Sequence, residues 1–400
     1  MSMDICFING SFPPQINGGA ENYIIRTANE LMSRGHNVTV ITTKPLKKVD
    51  DISIEKTKIE GITTFKFSPI NISSRYSFPE KSTIEQTIWR CFDLINPHSA
   101  FVVKKLLSKI DPDVIHTNNL IGISSIITKA LKQLDAKHVH TLHDYNLICP
   151  SGSPRTDVDR DCVRSFLNSE IVLRPFSRIQ QSVLESPDIV TAPSQHIIDT
   201  HLNRGFFCST PTSCLPLGVT TTKQISTKQE LSYRALFVGR ITERKGLDVL
   251  FEAAERDRKY QFDICGDGTY GERVKERSAK HSNVKYHGYV SSERLARLRD
   301  KADTAVVPSL WMENSPLTIY ESFANGLPVV GSNIGGIPEL ISPGTNGELF
   351  TPGNAKSLIN SLDSMMDQQK LANMRKEAIH WAENHTMEKH VNSLTKIYTK

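Results

Sequence analysis

Short apolar runs alternate with helix-patterned segments along this chain, and they do so in two separate series. In the first half the runs are Met3–Asn9, His36–Thr43, Val114–His116, His138–Leu142 and Ile189–Ala192. Between the first two, Ala20, Tyr23, Ile24, Ala28 and Leu31 fall on one face of a helix, and Gly35 ends it. Ser99–Lys109 and Gly122–Gln133 also carry helical patterns. The second half restarts with Ala235–Val238, Phe262–Cys265, Val284–Tyr286, Thr304–Val307 and Val329–Gly331, and helices fit Gly246–Asp257, Ser292–Lys301 and Pro316–Asn325. Strands that are apolar on both faces belong in a parallel sheet covered by helices on each side. The expected class is therefore α/β, with two doubly wound, Rossmann-like domains. Gly218–Ser232 is polar and aperiodic and reads as the linker. It sets residues 1–217 apart from residues 233–383, with Gln369–Lys400 helical in pattern.

A length of 400 residues exceeds one ordinary core and fits two domains. With 38% hydrophobic and 23% charged residues, the composition is that of a soluble globular protein. No apolar run is long enough to span a membrane, and the N-terminus reads as a strand rather than a signal peptide. A cytoplasmic setting is expected. The net charge of +5 suits an anionic ligand or membrane surface, and no nucleic-acid partner is expected. Seven scattered cysteines without a Cys-x2-Cys pair read as reduced thiols, with a Cys149–Cys162 bridge or metal as a minor alternative.

Chemistry concentrates where the second series of strands ends. Glu313 and Glu321 stand eight positions apart around a helix start, where Ser315 suits an N-cap and Pro316 the first helical position. The amides of Leu317 and Thr318 then lack intrahelical partners and favour an anion, commonly phosphate. Arg240, after the strand ending in Phe237-Val238-Gly239, offers a fork of donors. Lys245, before Gly246, adds a compact charge. Gly18-Gly19 opens the first helix and lets backbone approach a ligand, and Gly266-Asp267-Gly268 makes a tight turn.

The glutamate pair, the following GLPVVGSNIGGIPELI and the Arg-x4-Lys spacing together resemble the donor site of the family 4 retaining glycosyltransferases. These are GT-B, group 1 enzymes of the glycogen synthase and mannosyltransferase kind. The resemblance implies two Rossmann-like domains facing each other across a cleft. The N-terminal one would be on the acceptor side and the C-terminal one would hold the donor. A closing helix, about 384–400, would return to the first domain. It implies a UDP- or GDP-sugar donor, its diphosphate held by Arg240, Lys245 and the Asn314–Thr318 segment. Glu321 would take the ribose and Glu313 the sugar. Gly18, Gly19, Gly266 and Asp267 would border the donor, while Glu339 would be structural. No divalent metal or other cofactor is implied.

The sequence departs from the family after Asp113-Val-Ile-His116, where Asn118 replaces a second histidine. Asn118, or His143 with Asp144, is then the candidate near the reacting centre, while His116 and His140 read as structural. The implied reaction moves a hexose-type sugar to an acceptor glycan or lipid-linked sugar, in cell-surface polysaccharide or glycolipid synthesis. A silent nucleotide-sugar-binding subunit and a nucleotide-sugar epimerase on the same fold are the alternatives. Trp89–Ile110, with Lys104, Lys105 and Lys109, reads as a core helix with a basic face, or as an amphipathic helix meeting a membrane peripherally.

Overall fold

The computed structural model describes residues 2–14, 18–45, 53–80, 83–149, 170–220 and 230–399. Contacts group them into two compact units, Met1–Pro216 with His390–Lys400, and Leu217–Lys389.

The first unit is built on β1 (Asp4–Ile8), β2 (Asn37–Thr43), β3 (Glu55–Ile59), β4 (Ile62–Phe67), β5 (Val114–Thr117), β6 (Lys137–Thr141), β7 (Ile189–Ala192) and β8 (Thr212–Cys214), in the order β3-β4-β2-β1-β5-β6-β7-β8. All neighbours are parallel except β3 and β4. That antiparallel pair is a departure from the all-parallel expectation. Glu60 and Gly61 both have positive φ, as a two-residue hairpin turn of the I′ type requires. The mostly polar β3 (EKTKI) forms the sheet edge.

The second unit carries β9 (Arg234–Val238), β10 (Gln261–Cys265), β11 (Val284–Gly288), β12 (Thr304–Val307), β13 (Val329–Ser332) and β14 (Gly347–Phe350), all parallel, in the order β11-β10-β9-β12-β13-β14. In each sheet the chain order reverses once beside the first strand, between β1 and β5 and between β9 and β12. Ligands of open parallel sheets bind beyond the carboxyl ends of the strands at such a reversal.

Each sheet buries both faces under helices. In the first unit Cys6, Ile8 and Ile115 pack with Val103, Leu106 and Leu107 of the helix Pro97–Ile110. In the second, Phe237 and Ile264 pack with Leu250 and Phe251 from one helix and Leu358 and Leu362 from another. Each such side chain contributes about 1.5–3 kcal/mol by leaving water.

Local chemistry fixes several boundaries. Asn96 caps Pro97–Ile110 by accepting from the Ser99 amide at 3.1 Å, and this start splits Trp89–Ile110 between two helices, Thr83–Leu94 and Pro97–Ile110. Trp89, Val102, Val103, Leu106 and Leu107 are buried, while Lys104, Lys105 and Lys109 are exposed. Of the Gly122–Gln133 pattern only Ile127–Leu131 is α-helical, because Gly122 and Ser124 adopt φ of +87° and +80°. The C-terminal pattern breaks into Gln368–Asn384 and Met387–Tyr398. Between them Val219 donates to the His385 carbonyl at 2.9 Å and accepts from the Met387 amide at 3.1 Å. Among the described residues no two cysteines are joined in a disulfide. Cys162, and with it the Cys149–Cys162 alternative, lies outside the described residues, as does most of the linker.

Candidate active site

The reversal point of the second sheet gathers the charged residues. Beyond β9 the chain runs through Gly239 and Arg240 into the turn Glu243–Lys245, and beyond β12 it runs through Pro308 to Glu313. The two loops touch at Gly246, whose φ is +69° and where a Cβ would stand 1.9 Å from the Pro308 carbonyl oxygen. Only glycine brings them this close.

Glu313 is buried at 6% exposure, and three donors converge on its Oε1: Lys245 Nζ at 2.6 Å, Ser309 Oγ at 2.7 Å and Trp311 Nε1 at 2.8 Å. Lys245 Nζ also lies 5.8 Å from the Trp311 ring centre. Lys245 and Glu313, read in the sequence as contacts to different parts of a ligand, thus form one ion pair. A buried carboxylate needs such donors to stay charged. Its backbone is clasped from behind. The Gly336 amide donates to the Glu313 carbonyl at 2.8 Å, and a Cβ at Gly335, whose φ is +62°, would stand 2.3 Å from that oxygen.

Arg240 is exposed and has no ion-pair or hydrogen-bond partner among the described residues. Glu321, on the helix Leu317–Ala324, accepts from Arg299 at 3.2 Å. That helix starts one residue later than the sequence suggests. Pro316 holds the N-cap position with φ of −64° and ψ of 116°, and no side chain caps it. Ser315 instead shares a hydrogen bond of 2.8 Å with the Tyr320 hydroxyl, which also accepts from the Leu217 amide at 3.2 Å. The burial of Tyr320 explains the shift, since its hydroxyl must find partners inside the fold. The amides of Leu317 and Thr318 remain at the uncapped helix start.

Gly266 and Gly268 serve the turn itself. Side chains there would meet the Gly239 and Ile241 carbonyl oxygens at 1.8 and 2.3 Å. Asp267 is exposed, accepting from the Gly268 amide at 2.7 Å.

In the first unit the candidates follow the strands of that sheet's reversal point and their neighbour β6. Gly18 precedes the helix Gly19–Ser33, but its amide donates to Glu21 Oε2 at 3.0 Å. The buried Glu21 also accepts from Ser11 at 2.6 Å. Asn118 and His143 are brought into contact. Asn118 donates to the His116 carbonyl at 3.1 Å, and its Oδ1 lies 2.9 Å from His143 Nε2. Burial lowers the His143 pKa to about 3, so the ring is neutral at physiological pH, and because the amide oxygen can only accept, the ring's one N–H sits on Nε2 and donates to Asn118 Oδ1. Asp144 accepts from Asn119 Nδ2 at 2.7 Å and from the Asn146 amide at 2.9 Å, and burial raises its pKa. His116 uses both ring nitrogens internally, with Tyr398 and Thr141 at 2.6 Å each. His140 Nδ1 meets Thr117 Oγ1 at 2.9 Å.

Sequence reasoning missed Ser309, Trp311, Arg299 and the clasping role of Gly335-Gly336. The first two lie within five residues of Glu313 and were open to a local reading. Arg299 is one of several basic residues on its helix and carries no local sign.

Residues 17–223 match the family described as Glycosyltransferase Family 4, and residues 219–381 match Glycosyl transferases group 1. An uncharacterized 42.6 kDa protein in the cps region of Klebsiella pneumoniae is 27% identical over 338 residues, 84% of this chain and 87% of that one. The amylovoran biosynthesis glycosyltransferase AmsK of Erwinia amylovora is 36% identical over 137 residues, 31% of this chain and 34% of that one. Among solved structures, sucrose-phosphate synthase from Thermosynechococcus elongatus superposes with a TM-score of 0.72 at 20% identity, covering 99% of this chain and 98% of that one. Anabaena HepE in complex with UDP and glucose superposes at 0.68 and 20% identity, over the whole of both chains. With its two parallel-stranded α/β units, the chain has the GT-B fold and belongs to the group 1, family 4 glycosyltransferases.

Proposed function

We propose that this chain transfers a hexose-type sugar, with retention, from a UDP- or GDP-sugar to an acceptor hydroxyl during cell-surface polysaccharide synthesis. The observation that carries the donor half is the gathering of Arg240, Lys245, Glu313 and the Leu317–Thr318 amides beyond β9 and β12. In this reading Arg240 and Lys245 neutralise charge that builds on the leaving diphosphate, and the two amides add fixed dipoles. Glu321, oriented by Arg299, takes the ribose hydroxyls, and Glu313 takes hydroxyls of the sugar. The positive side chains supply what a divalent cation supplies elsewhere, so the reaction proceeds without added metal. Asn118 and the neutral His143 are assigned to the acceptor hydroxyl as hydrogen-bonding groups. The names of two relatives, a protein of a cps region and an amylovoran biosynthesis glycosyltransferase, support the polysaccharide setting.

A lipid-linked acceptor would bring the protein to the cytosolic face of a membrane. In support, Ile88, Phe92 and Ile95 are exposed along one side of the helix Thr83–Leu94 and its end. Ile70 and Ile72 adjoin them, since Asn96 Nδ2 donates to the Ile70 carbonyl at 2.8 Å and Trp89 Nε1 to that of Ser73 at 2.7 Å. Phe101 and the exposed Lys104 and Lys105 follow on the next helix. Apolar anchors beside lysines suit an anionic lipid surface.

The test is a panel of nucleotide sugars titrated calorimetrically in chelator, with release of nucleotide followed in the presence of acceptor. One donor should bind and turn over without metal. Binding without any nucleotide release would identify a silent binding subunit, and no binding at all would remove the donor-site reading.

A further inference from the structure

The helix Leu317–Ala324 opens without the cap that its own sequence provides. Ser315-Pro316 spells an N-cap followed by a first helical position, and in that register Ser315 Oγ would accept from the amide of Leu317 or Thr318. Pro316 already has a helical φ of −64°. Its ψ of 116°, against about −40° in a helix, is what keeps Ser315 out of the cap position. The amides that Ser315 would cover are those assigned above to the diphosphate.

A side chain about one turn inside the helix explains the open register. The buried Ser315 has its Oγ 2.8 Å from the Tyr320 hydroxyl. Tyr320 is fully buried, so its hydroxyl must be paired inside the fold. It takes the Leu217 amide at 3.2 Å and shares its other hydrogen bond with Ser315. The ring cannot follow Ser315 toward the helix start. It meets Trp381 edge-on with centroids 5.0 Å apart, and Trp381 stacks on His385 at 3.7 Å. The helix start is anchored as well, since Thr318 Oγ1 donates to the Val238 carbonyl at 3.3 Å, two residues before Arg240.

We propose that Tyr320 is a positioning residue of the donor site, whose hydroxyl withholds Ser315 from the helix cap and so keeps the Leu317 and Thr318 amides open to the diphosphate. Without that hydroxyl, Ser315 returns to the cap that its place in the sequence suits. It then competes with the phosphate for the same two donors. An ordinary N-cap is strong enough to lower diphosphate affinity about fivefold. Tyr320→Phe isolates this effect, because phenylalanine keeps the ring against Trp381. The inference rests on the donor-site reading above and adds to it a residue that acts through Ser315 and not by touching the ligand.

The probes are UDP and GDP, titrated calorimetrically into the full chain in chelator. Tyr320→Phe should weaken whichever nucleotide binds by about fivefold. In a Ser315→Ala background the same change should alter affinity less than twofold, because no hydroxyl is left to cap the helix. Tyr320→Phe also leaves the Leu217 amide unpaired, so the melting temperature should fall in both backgrounds. Rescue of affinity without rescue of stability distinguishes withholding from general damage to the fold. The proposal is overturned when Tyr320→Phe weakens the nucleotide equally in both backgrounds, or leaves it unchanged in the first. Where Tyr320→Phe does not fold, amide hydrogen exchange at Leu317 and Thr318 decides. Equal rates in the wild type and in Ser315→Ala support the open register, and faster exchange in Ser315→Ala overturns it. Either failure with nucleotide binding intact in the wild type leaves the transfer reading standing. If the wild type binds neither nucleotide, the donor-site reading falls and this inference falls with it.

Discussion

Lys245 cannot hold Glu313 and a diphosphate equally well, and the competition can be measured. In the structure Lys245 Nζ is 2.6 Å from Glu313 Oε1, with side-chain exposures of 24% and 7%. A hydrogen bond between charged groups contributes about 1.5–3 kcal/mol net. Partial exposure of the lysine end reduces this to about 1–2 kcal/mol. Free nucleoside diphosphate carries no sugar for Glu313 to bind, so it meets the cost of this exchange without the compensating contact. Glu313→Gln should then tighten UDP or GDP by about five- to thirtyfold, the equivalent of about 1–2 kcal/mol.

Relief of simple repulsion between the carboxylate and the diphosphate contributes to that gain, and a second background separates the two effects. With Lys245→Met the stem still packs near Trp311 but there is no charge to release, so Glu313→Gln should then gain only the repulsion part. The difference between the two gains is the coupling energy. Calorimetric titration of the nucleoside diphosphate at low ionic strength reads all four corners. Equal gains in both backgrounds, within about 0.3–0.5 kcal/mol, would show that Lys245 does not leave Glu313 for the diphosphate and would refute the exchange.

Other outcomes follow from the same geometry. Gly335→Ala forces a side chain onto the Glu313 carbonyl at φ of +62°, with about 1–2 kcal/mol of left-handed backbone strain before any clash, so donor affinity should fall more than tenfold and the melting temperature should drop; unchanged donor affinity would separate the clasp from the site. The buried histidines His138, His201 and His390, with pKa lowered by burial to about 4, are neutral when folded and bind more protons when unfolded. Their contribution is therefore present above pH 6.5 and lost as pH falls toward 4, and denaturant titrations should show lower stability at pH 5.5 than at 7.5. His143, with its pKa held near 3, should leave no ionisation in the rate profile between pH 5.5 and 8. Phe92→Ser with Phe101→Ser should reduce co-sedimentation with anionic vesicles without changing donor affinity, and equal sedimentation would remove the membrane contact.

What was legible in the sequence was what local chemistry encodes. The apolar runs marked β1, β2, β5, β6, β7 and β9 to β13 because a strand covered on both faces is apolar throughout. β3, with four polar residues in EKTKI, lacks that mark, as does β8, whose three residues are too few for a pattern. The position of Glu313 and Glu321 was legible for the same local reason, since a proline and a following helical pattern fix where a helix begins.

Partnership was not legible, because it depends on which strands lie side by side. Lys245 and Glu313 are 68 residues apart and meet only because β9 and β12 are neighbours at the reversal of the sheet. Asn118 and His143 were weighed as rivals for one role. They meet because β5 and β6 are adjacent, and they are hydrogen-bonded partners. This bears on the missing histidine after His116. Asn118 cannot take a proton, and the half-buried His143 beside it, with its pKa lowered to about 3 by desolvation, is too weakly basic to hold one at neutral pH, so neither supplies an effective base. What the pair can supply is orientation, a carboxamide oxygen and an imidazole fixed by one hydrogen bond. A transferase whose leaving phosphate assists the incoming hydroxyl needs only that from this side, and replacement of the histidine by asparagine is then compatible with turnover.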